Sequence, residues 1–286
     1  ARISAHLLGI GAFAMDVGAL TVFLHTFTER EKIYNLIEAL TGARFTTTYT
    51  RIGGLSRDLP EGWTDELAEF TREVIVAIGD ADKLLTRNKI FVDRTREIGV
   101  ISREEAIDFG LTGPNLRGSN VEYDLRKAHP YLVYDELDFD VPYGEMGDCY
   151  DRYLVRMEEM RQSISIIEQA ADKMPYGPIM TDQRWVNYPD KKEVYGNIEG
   201  LIEHFKMVME GHQPPEGEAY VAVEGGNGEV GFYVVSDGSG DPVRVRLRPP
   251  CFNYVQAMRH MTIGHYIADI VPIFGSINMI GGELDR

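Results

Sequence analysis

The chain opens on an almost unbroken apolar run. Ser4 to Phe27 reads SAHLLGIGAFAMDVGALTVFLHTF, and between Leu7 and Leu24 the only ionisable side chain is Asp16. As one helix these residues would extend roughly 36 Å at about 1.5 Å per residue. Apolar side chains on almost every face predict a central core helix or a membrane span. The run lacks a flanking basic cluster, and it lacks the n-region and cleavage site of a signal peptide, so the core reading is preferred. Gly9, Gly11 and Gly18, with Ala12, Ala14 and Ala19, would let neighbouring helices approach closely. An ionised carboxylate inside such a helix needs a partner or a task. Asp16 is therefore either a satisfied structural acid or a candidate functional group.

Further on, the pattern alternates between helical stripes and short punctuation. Thr28 and Glu31 have the spacing of a capping box, predicting a second helix to about Leu40 with Gly42 as its stop. Phe45–Arg51 reads as a strand or extended link, and Ile52–Gly62 as loop. Thr64 is an N-cap candidate for a helix from Asp65 to about Lys83, its buried face Leu67, Phe70, Val74, Ile78 and Ala81. Ser102 and Glu105 form another capping box before a short helix ending at Gly110. Leu111–Gly144 has no sustained period and reads as a long ordered connection.

A long helix is predicted from Asp148 to Met174, with the apolar stripe Tyr150, Tyr153, Leu154, Met157, Met160, Ile164 and Ile167. Its other faces carry Asp148, Asp151, Arg152, Arg156, Glu158, Glu159 and Arg161, read as a solvated face or as a polar seam against another subunit. Asp148 and Arg152 have the spacing of an ion pair. Glu193–Met209 reads as a third amphipathic helix with Ile198, Leu201, Ile202, Phe205 and Val208 on its apolar side. Tyr220–Val223, Glu229–Val235 and Val243–Leu247 read as strands of an antiparallel meander, the first two joined by a GGNG turn. Val243, Val245 and Leu247 should face one way, and Arg244, Arg246 and Arg248 the other. Cys251–Phe274 returns to helix. The fold class is thus mainly α with a small antiparallel β meander (α+β). Residues 1–213 form a helical core, 214–250 the meander, and 251–286 a helix and tail returning to the core, within one integrated unit.

Composition narrows the function classes. A net charge of −16 argues against sequence-independent nucleic-acid binding, which needs a basic footprint. Cys149 and Cys251 have no metal-ligand spacing and suit a reducing compartment better than a disulfide. The first residue is Ala1 rather than Met, which points to a processed chain or a fragment. There is no Walker loop, no GxGxxG after a strand, no GxSxG and no CxxC. His265 and Asp269, four apart, are read as a structural hydrogen bond rather than a metal site. Cys149 begins the long helix, where the dipole favours a thiolate, but no histidine lies near it in sequence to serve as a base. The GGNG segment is read as a turn rather than a phosphate cradle. The residues alone stop there: a mainly helical acidic protein with one suspicious carboxylate.

The middle of the chain says more. LRGSNVEYDLRKAHPYLVYDELDFDVPYGEMGDCYDRYLVRMEEMRQS, residues 116–163, resembles the hydrogenase-like large subunit of respiratory complex I, the D-type subunit family of NADH:quinone oxidoreductase. The resemblance extends to TGAR (Thr41–Arg44), IGGLSRDLP (Ile52–Pro60), GFYVVSDGS (Gly231–Ser239) and the terminal GELDR (Gly282–Arg286), and so covers essentially the whole chain. It implies a helical core like that of the nickel–iron hydrogenase large subunit, and a peripheral position at the cytoplasmic face of the bacterial inner membrane (the matrix side in mitochondria). It implies partnership with the small iron–sulfur subunit and with other hydrophilic-arm and membrane-arm subunits. It also implies a quinone-reduction pocket shared with the small subunit and coupled to proton translocation. The chain itself would bind neither NADH nor a cluster; quinone would be the substrate, and the adjacent small subunit would hold the iron–sulfur cluster. Asp16, in AMD, matches the family aspartate that interacts with a pocket histidine. Ile280 and Asp285 match positions lining the cavity.

Four departures accompany the resemblance. The family's N-terminal part, with its HGxLR-like and RGxEK-like motifs, is absent from these residues. Thr46 stands where many members have histidine. EGGNG (Glu224–Gly228) replaces an alanine–proline–basic segment, and INMIGGELDR replaces a QDIVFGEVDR-like ending. Hydrogenase activity is disfavoured because a nickel site needs four cysteine thiolates. The alternatives are a large subunit of a related hydrogenase-like or other-donor quinone oxidoreductase, and, from another class, a scaffold subunit with a degenerate pocket.

Overall fold

A computed structural model describes residues 1–183 and 186–285. The apolar opening run is two helices, not one: α1 (Arg2–Asp16) and α2 (Leu20–Thr41). The chain reverses at Val17–Ala19, where Gly18 adopts φ +96°, a conformation that glycine takes without steric cost. The reversal lets α2 fold back on α1, with Gly11 against Phe23 and Thr26. The Thr28–Glu31 capping box does not exist. Thr28 lies inside α2 and its hydroxyl donates to the Leu24 carbonyl, while Glu31 pairs with Arg44. Gly42 does end α2, with φ +81°.

A two-residue hairpin, β1 (Thr50–Arg51) with β2 (Gly54–Leu55), interrupts the following loop. Next comes α3 (Trp63–Leu85), which buries Phe70, Val74, Ile78 and Ala81 as its period requires. After α4 (Lys89–Asp93) comes α5 (Arg103–Asp108), where the Ser102–Glu105 capping box is present. The long connection contains two short helices, α6 (Gly113–Gly118) and α7 (Leu125–Ala128). The long helix is α8 (Cys149–Asp172), capped by the Asp148 carboxylate accepting from the Asp151 amide. Its apolar stripe meets α1 and α3; Tyr153, Met157 and Met160 are fully buried.

The third amphipathic segment breaks at Asn197 into α9 (Lys191–Gly196) and α10 (Ile198–Met209), because the Asn197 side chain accepts from the Gly200 amide and starts a new helix. The period of α10 is as expected but its burial is not. Ile198, Leu201, Ile202, Phe205 and Val208 are exposed. The meander is as expected: β3 (Gly217–Glu224), β4 (Glu229–Ser236) and β5 (Arg244–Arg248) pair antiparallel in that order. Val221, Phe232 and Leu247 share one row of one face, and Tyr233 and Arg246 a row of the other. Then α11 (Pro250–Thr262) leads to α12 (Ile270–Ile277), which packs on α1 and α8. Among the described residues no helix is long and apolar enough to cross a membrane.

The GGNG turn does more than connect strands. Asn227 is buried, and its amide donates to the Asn278 carbonyl at 3.0 Å. Gly228 has φ +147°, and a methyl group there would stand 2.7 Å from the Thr112 hydroxyl as well as against Tyr254. Gly228→Ala therefore combines a disfavoured backbone with overpacking, and is expected to cost about 2 kcal/mol. A urea denaturation midpoint unchanged from the parent would refute this.

Candidate functional site

Asp16 is the last residue of α1, at the turn into α2, and it is exposed. The expectation of a carboxylate sealed within a long helix is thus overturned by the break at Gly18. Its Oδ2 faces Gly275 of α12, where an added Cβ would lie 3.2 Å away. Its surroundings are apolar. Met15 and Leu20 flank it, exposed at 39% and 55%, and α12 presents Val271 and Phe274, exposed at 46% and 40%. Partial loss of water beside these groups raises the carboxyl pKa above its ordinary value. Among the described residues Asp16 has no hydrogen-bond or ionic partner within this chain, a situation that leaves its acceptor oxygens open to an incoming group.

Ile280 and Asp285 lie beyond α12, both exposed. α12 runs antiparallel to α1: Gly275 meets Asp16, whereas Asn278 meets Gly9. The segment after α12 therefore leaves toward the middle of α1, away from the Asp16 end. Ile280 donates its amide to the Cys251 sulfur at 3.4 Å, and Glu283 accepts from the Cys251 amide at 3.1 Å. The structure does not bring the three residues into contact within this chain.

At the other end of α1 lies a charged cluster that sequence reading missed. The Glu159 carboxylate on α8 accepts four bonds. Arg117 donates to Oε1 from Nε at 2.9 Å and from Nη2 at 2.6 Å. Arg2 and His6 of α1 both reach Oε2 at 2.7 Å. Arg117 continues to Glu224 of β3 at 2.9 Å and to Asp124 at 3.3 Å, and Asp124 is gripped by Arg126 at 2.7 and 3.0 Å. Three guanidinium groups thus balance three carboxylates, and His6 need carry no charge. Burial pushes Glu159 upward, but Arg117, Arg2 and the His6 bond outweigh it and hold the carboxyl well below the usual range. Burial dominates at His6, which is lowered to about 4 despite its bond to Glu159.

The charges on α8 divide: Arg152, Arg156 and Glu159 are buried inside this chain and belong to neither a solvated face nor a seam, whereas Glu158 and Arg161 are half-exposed and pair with each other at 3.0 Å. Arg152 and Asp148 do not pair. Arg152 donates to the Gly99 and Gly147 carbonyls at 3.0 and 2.9 Å and to Ser276 at 3.0 Å, while Asp148 accepts from the Glu97 amide at 2.8 Å. Arg156 donates to Asn115 at 2.9 Å. A signal was available: Arg152, Arg156 and Glu159 recur at helical spacing, as do Arg2 and His6.

The other candidates are structural. His265 accepts weakly from the Gly99 amide at 3.4 Å, whereas Asp269 pairs with Arg94 at 2.8 Å, so the two do not bond to each other. Cys149 and Cys251 are both free and buried. Burial pushes the Cys149 thiol up, overriding the helix dipole, and pushes Cys251 up to about 12. Among the described residues no group of three His, Cys, Asp or Glu side chains could hold a metal ion.

Comparison with known proteins settles the family. The family model described as the respiratory-chain NADH dehydrogenase 49 kDa subunit matches residues 16–286. The D-type subunit of NADH-quinone oxidoreductase from Methylacidiphilum infernorum is 55% identical over the whole chain, which spans 68% of that protein. Its Myxococcus xanthus counterpart is 50% identical, again over the whole chain and 69% of its own length. A C/D subunit from Bdellovibrio bacteriovorus is 50% identical, with the chain spanning 51% of it. The chain belongs to the 49 kDa, or D-type, subunit family of NADH-quinone oxidoreductase, and is a subunit of an oxidoreductase complex.

Proposed function

We propose that the α1–α2 turn and the facing side of α12 form this chain's contribution to a quinone-reduction pocket. A small iron–sulfur subunit completes it and supplies the electrons. The observation that carries this reading is Asp16: an unpaired carboxylate of raised pKa, set among exposed apolar side chains. Such a surface suits an apolar substrate with a polar headgroup. Reduction of a quinone to a quinol consumes two electrons and two protons. Asp16 orients a histidine brought by the rest of the assembly and holds or releases a proton as the headgroup is reduced. Ile280 and Asp285 rank second: they lie on the segment after α12, apart from Asp16, and would line a different stretch of the same pocket. The subunit sits peripherally at the cytoplasmic face of the membrane, against other hydrophilic-arm and membrane-arm subunits, and the reaction is coupled to proton translocation.

Asp16→Asn in the full-length subunit of the assembled enzyme tests this. Quinone reduction should fall about 100-fold, the scale of a lost proton-transfer group. Transfer to an artificial acceptor upstream of quinone should be unchanged. Normal rates with both acceptors would make Asp16 a surface acid and favour a scaffold role.

A further inference from the structure

A cavity of about 460 Å³ lies away from Asp16. It is a groove between α8 on one side and α2 with α3 on the other. The α8 wall presents Ser163, Ile167, Ala170 and Ala171, facing Leu36 and Trp63. The α8 positions recur at spacings of four, three and one, so one face of that helix lies open for about 12 Å, just over two turns. Small side chains at Ser163, Ala170 and Ala171 leave the hollow into which a neighbouring ridge fits.

The floor distinguishes a helix seat from a small-molecule site. Its charged side chains are Arg2, Arg126 and Glu224, and all are engaged: Arg2 with Glu159, Arg126 with Asp124 in a two-bond grip, Glu224 with Arg117. Trp63 and Ser163 donate to backbone carbonyls, and the Tyr134 hydroxyl is unpartnered among the described residues. A small ligand needs several convergent polar groups to orient it, and among the described side chains this lining leaves only the Tyr134 hydroxyl free. An amphipathic helix needs only apolar walls. The chain spans 68% and 69% of its Methylacidiphilum and Myxococcus relatives and 73% of a Wolbachia homologue, so each carries residues beyond those matched.

We propose that the groove seats an amphipathic α-helix contributed by those further residues of the full-length polypeptide. Its anchors would be apolar side chains at i, i+3 or i+4, and i+7. The proposal is independent of the quinone reading, since Asp16 does not line the groove.

Ala170→Cys provides the test, because Cys149 and Cys251 are buried and do not compete for a maleimide reagent. In the 286-residue chain the new thiol should label freely. In the enzyme assembled with the full-length subunit, labelling should slow at least tenfold. Ile167→Cys, on the same α8 wall and only partly buried, repeats the measurement should Ala170→Cys fail to fold. A photoreactive benzoylphenylalanine at position 171 of the assembled enzyme should then crosslink to a helical segment of the same polypeptide carrying that apolar spacing. Unchanged labelling on assembly, or a crosslink to another subunit, a lipid or quinone, would overturn the proposal.

Discussion

Glu159→Ala is expected to destabilise the chain by about 3–5 kcal/mol, the scale of breaking a buried ion pair from one side. The carboxylate is the common partner of Arg117, Arg2 and His6, at 2.6 to 2.9 Å. Its removal strands Arg117 in the interior with more positive than negative charge around it. Arg117 is fully buried and cannot reach water, and its own pKa is held above the ordinary value by Glu159, Glu224 and Asp124 against the effect of burial. Deprotonation offers no escape, because a guanidinium stays charged in proteins and Glu224 and Asp124 remain beside it. The loss should appear in urea unfolding of the 286-residue chain, and Glu159→Gln should fall between the parent and the alanine variant. Replacing both Glu159 and Arg117 by methionine should recover part of the loss, because the stranded charge goes too. An alanine variant within about 1 kcal/mol of the parent would mean the cluster is not what holds α1 to α8.

The second large effect is on pH. His6 in the native chain protonates only at about 4, whereas an unfolded histidine protonates near 6.5. Between those values the unfolded chain binds a proton that the native chain refuses. Stability therefore rises with pH across this window, is complete above about 6.5, and is lost as pH falls toward 4. The full swing is about 3 kcal/mol, from a shift of roughly two and a half pH units. His6→Gln keeps a donor for Glu159 but cannot titrate. Its stability should be flatter than the parent's between about pH 4.5 and 7, with the two curves diverging by about 2 kcal/mol or more. Parallel curves would show that His6 is not the neutral, buried group described.

Elements whose signals are local were legible in the sequence. The Ser102–Glu105 capping box, the stop at Gly42, the face of α3 and the strand alternation around Val245 all depend on residues within a few positions of one another. The misreadings share a different cause. Glu159 finds Arg117 42 residues away and His6 153 residues away, so nothing near α8 marks its charges as internal. The apolar stripe of α10 has the right period, but period does not say whether a face meets this chain or something beyond it. Asp16 stood out for a reason that proved wrong. It is not sealed in a helix; the break at Gly18 places it at a surface, and its candidacy now rests on being unpaired there. Ile280 and Asp285 came from family resemblance alone, because nothing in their local pattern distinguishes them.

The ion cluster also sets an order of events during synthesis. Arg2 contacts the backbone of Glu224, 222 positions later, and Arg117 needs that residue's carboxylate. A ribosome adding roughly 5–20 residues per second takes about 10–40 s to cover that distance. Throughout it α1 has α2 and then α8 to pack on, but its lock to the sheet is not yet made. The contact that makes the finished fold durable is thus among the last the emerging chain can make. The cluster can close only after the first strand of the meander has left the exit tunnel, and α1 gains its last partner later still, when α12 follows.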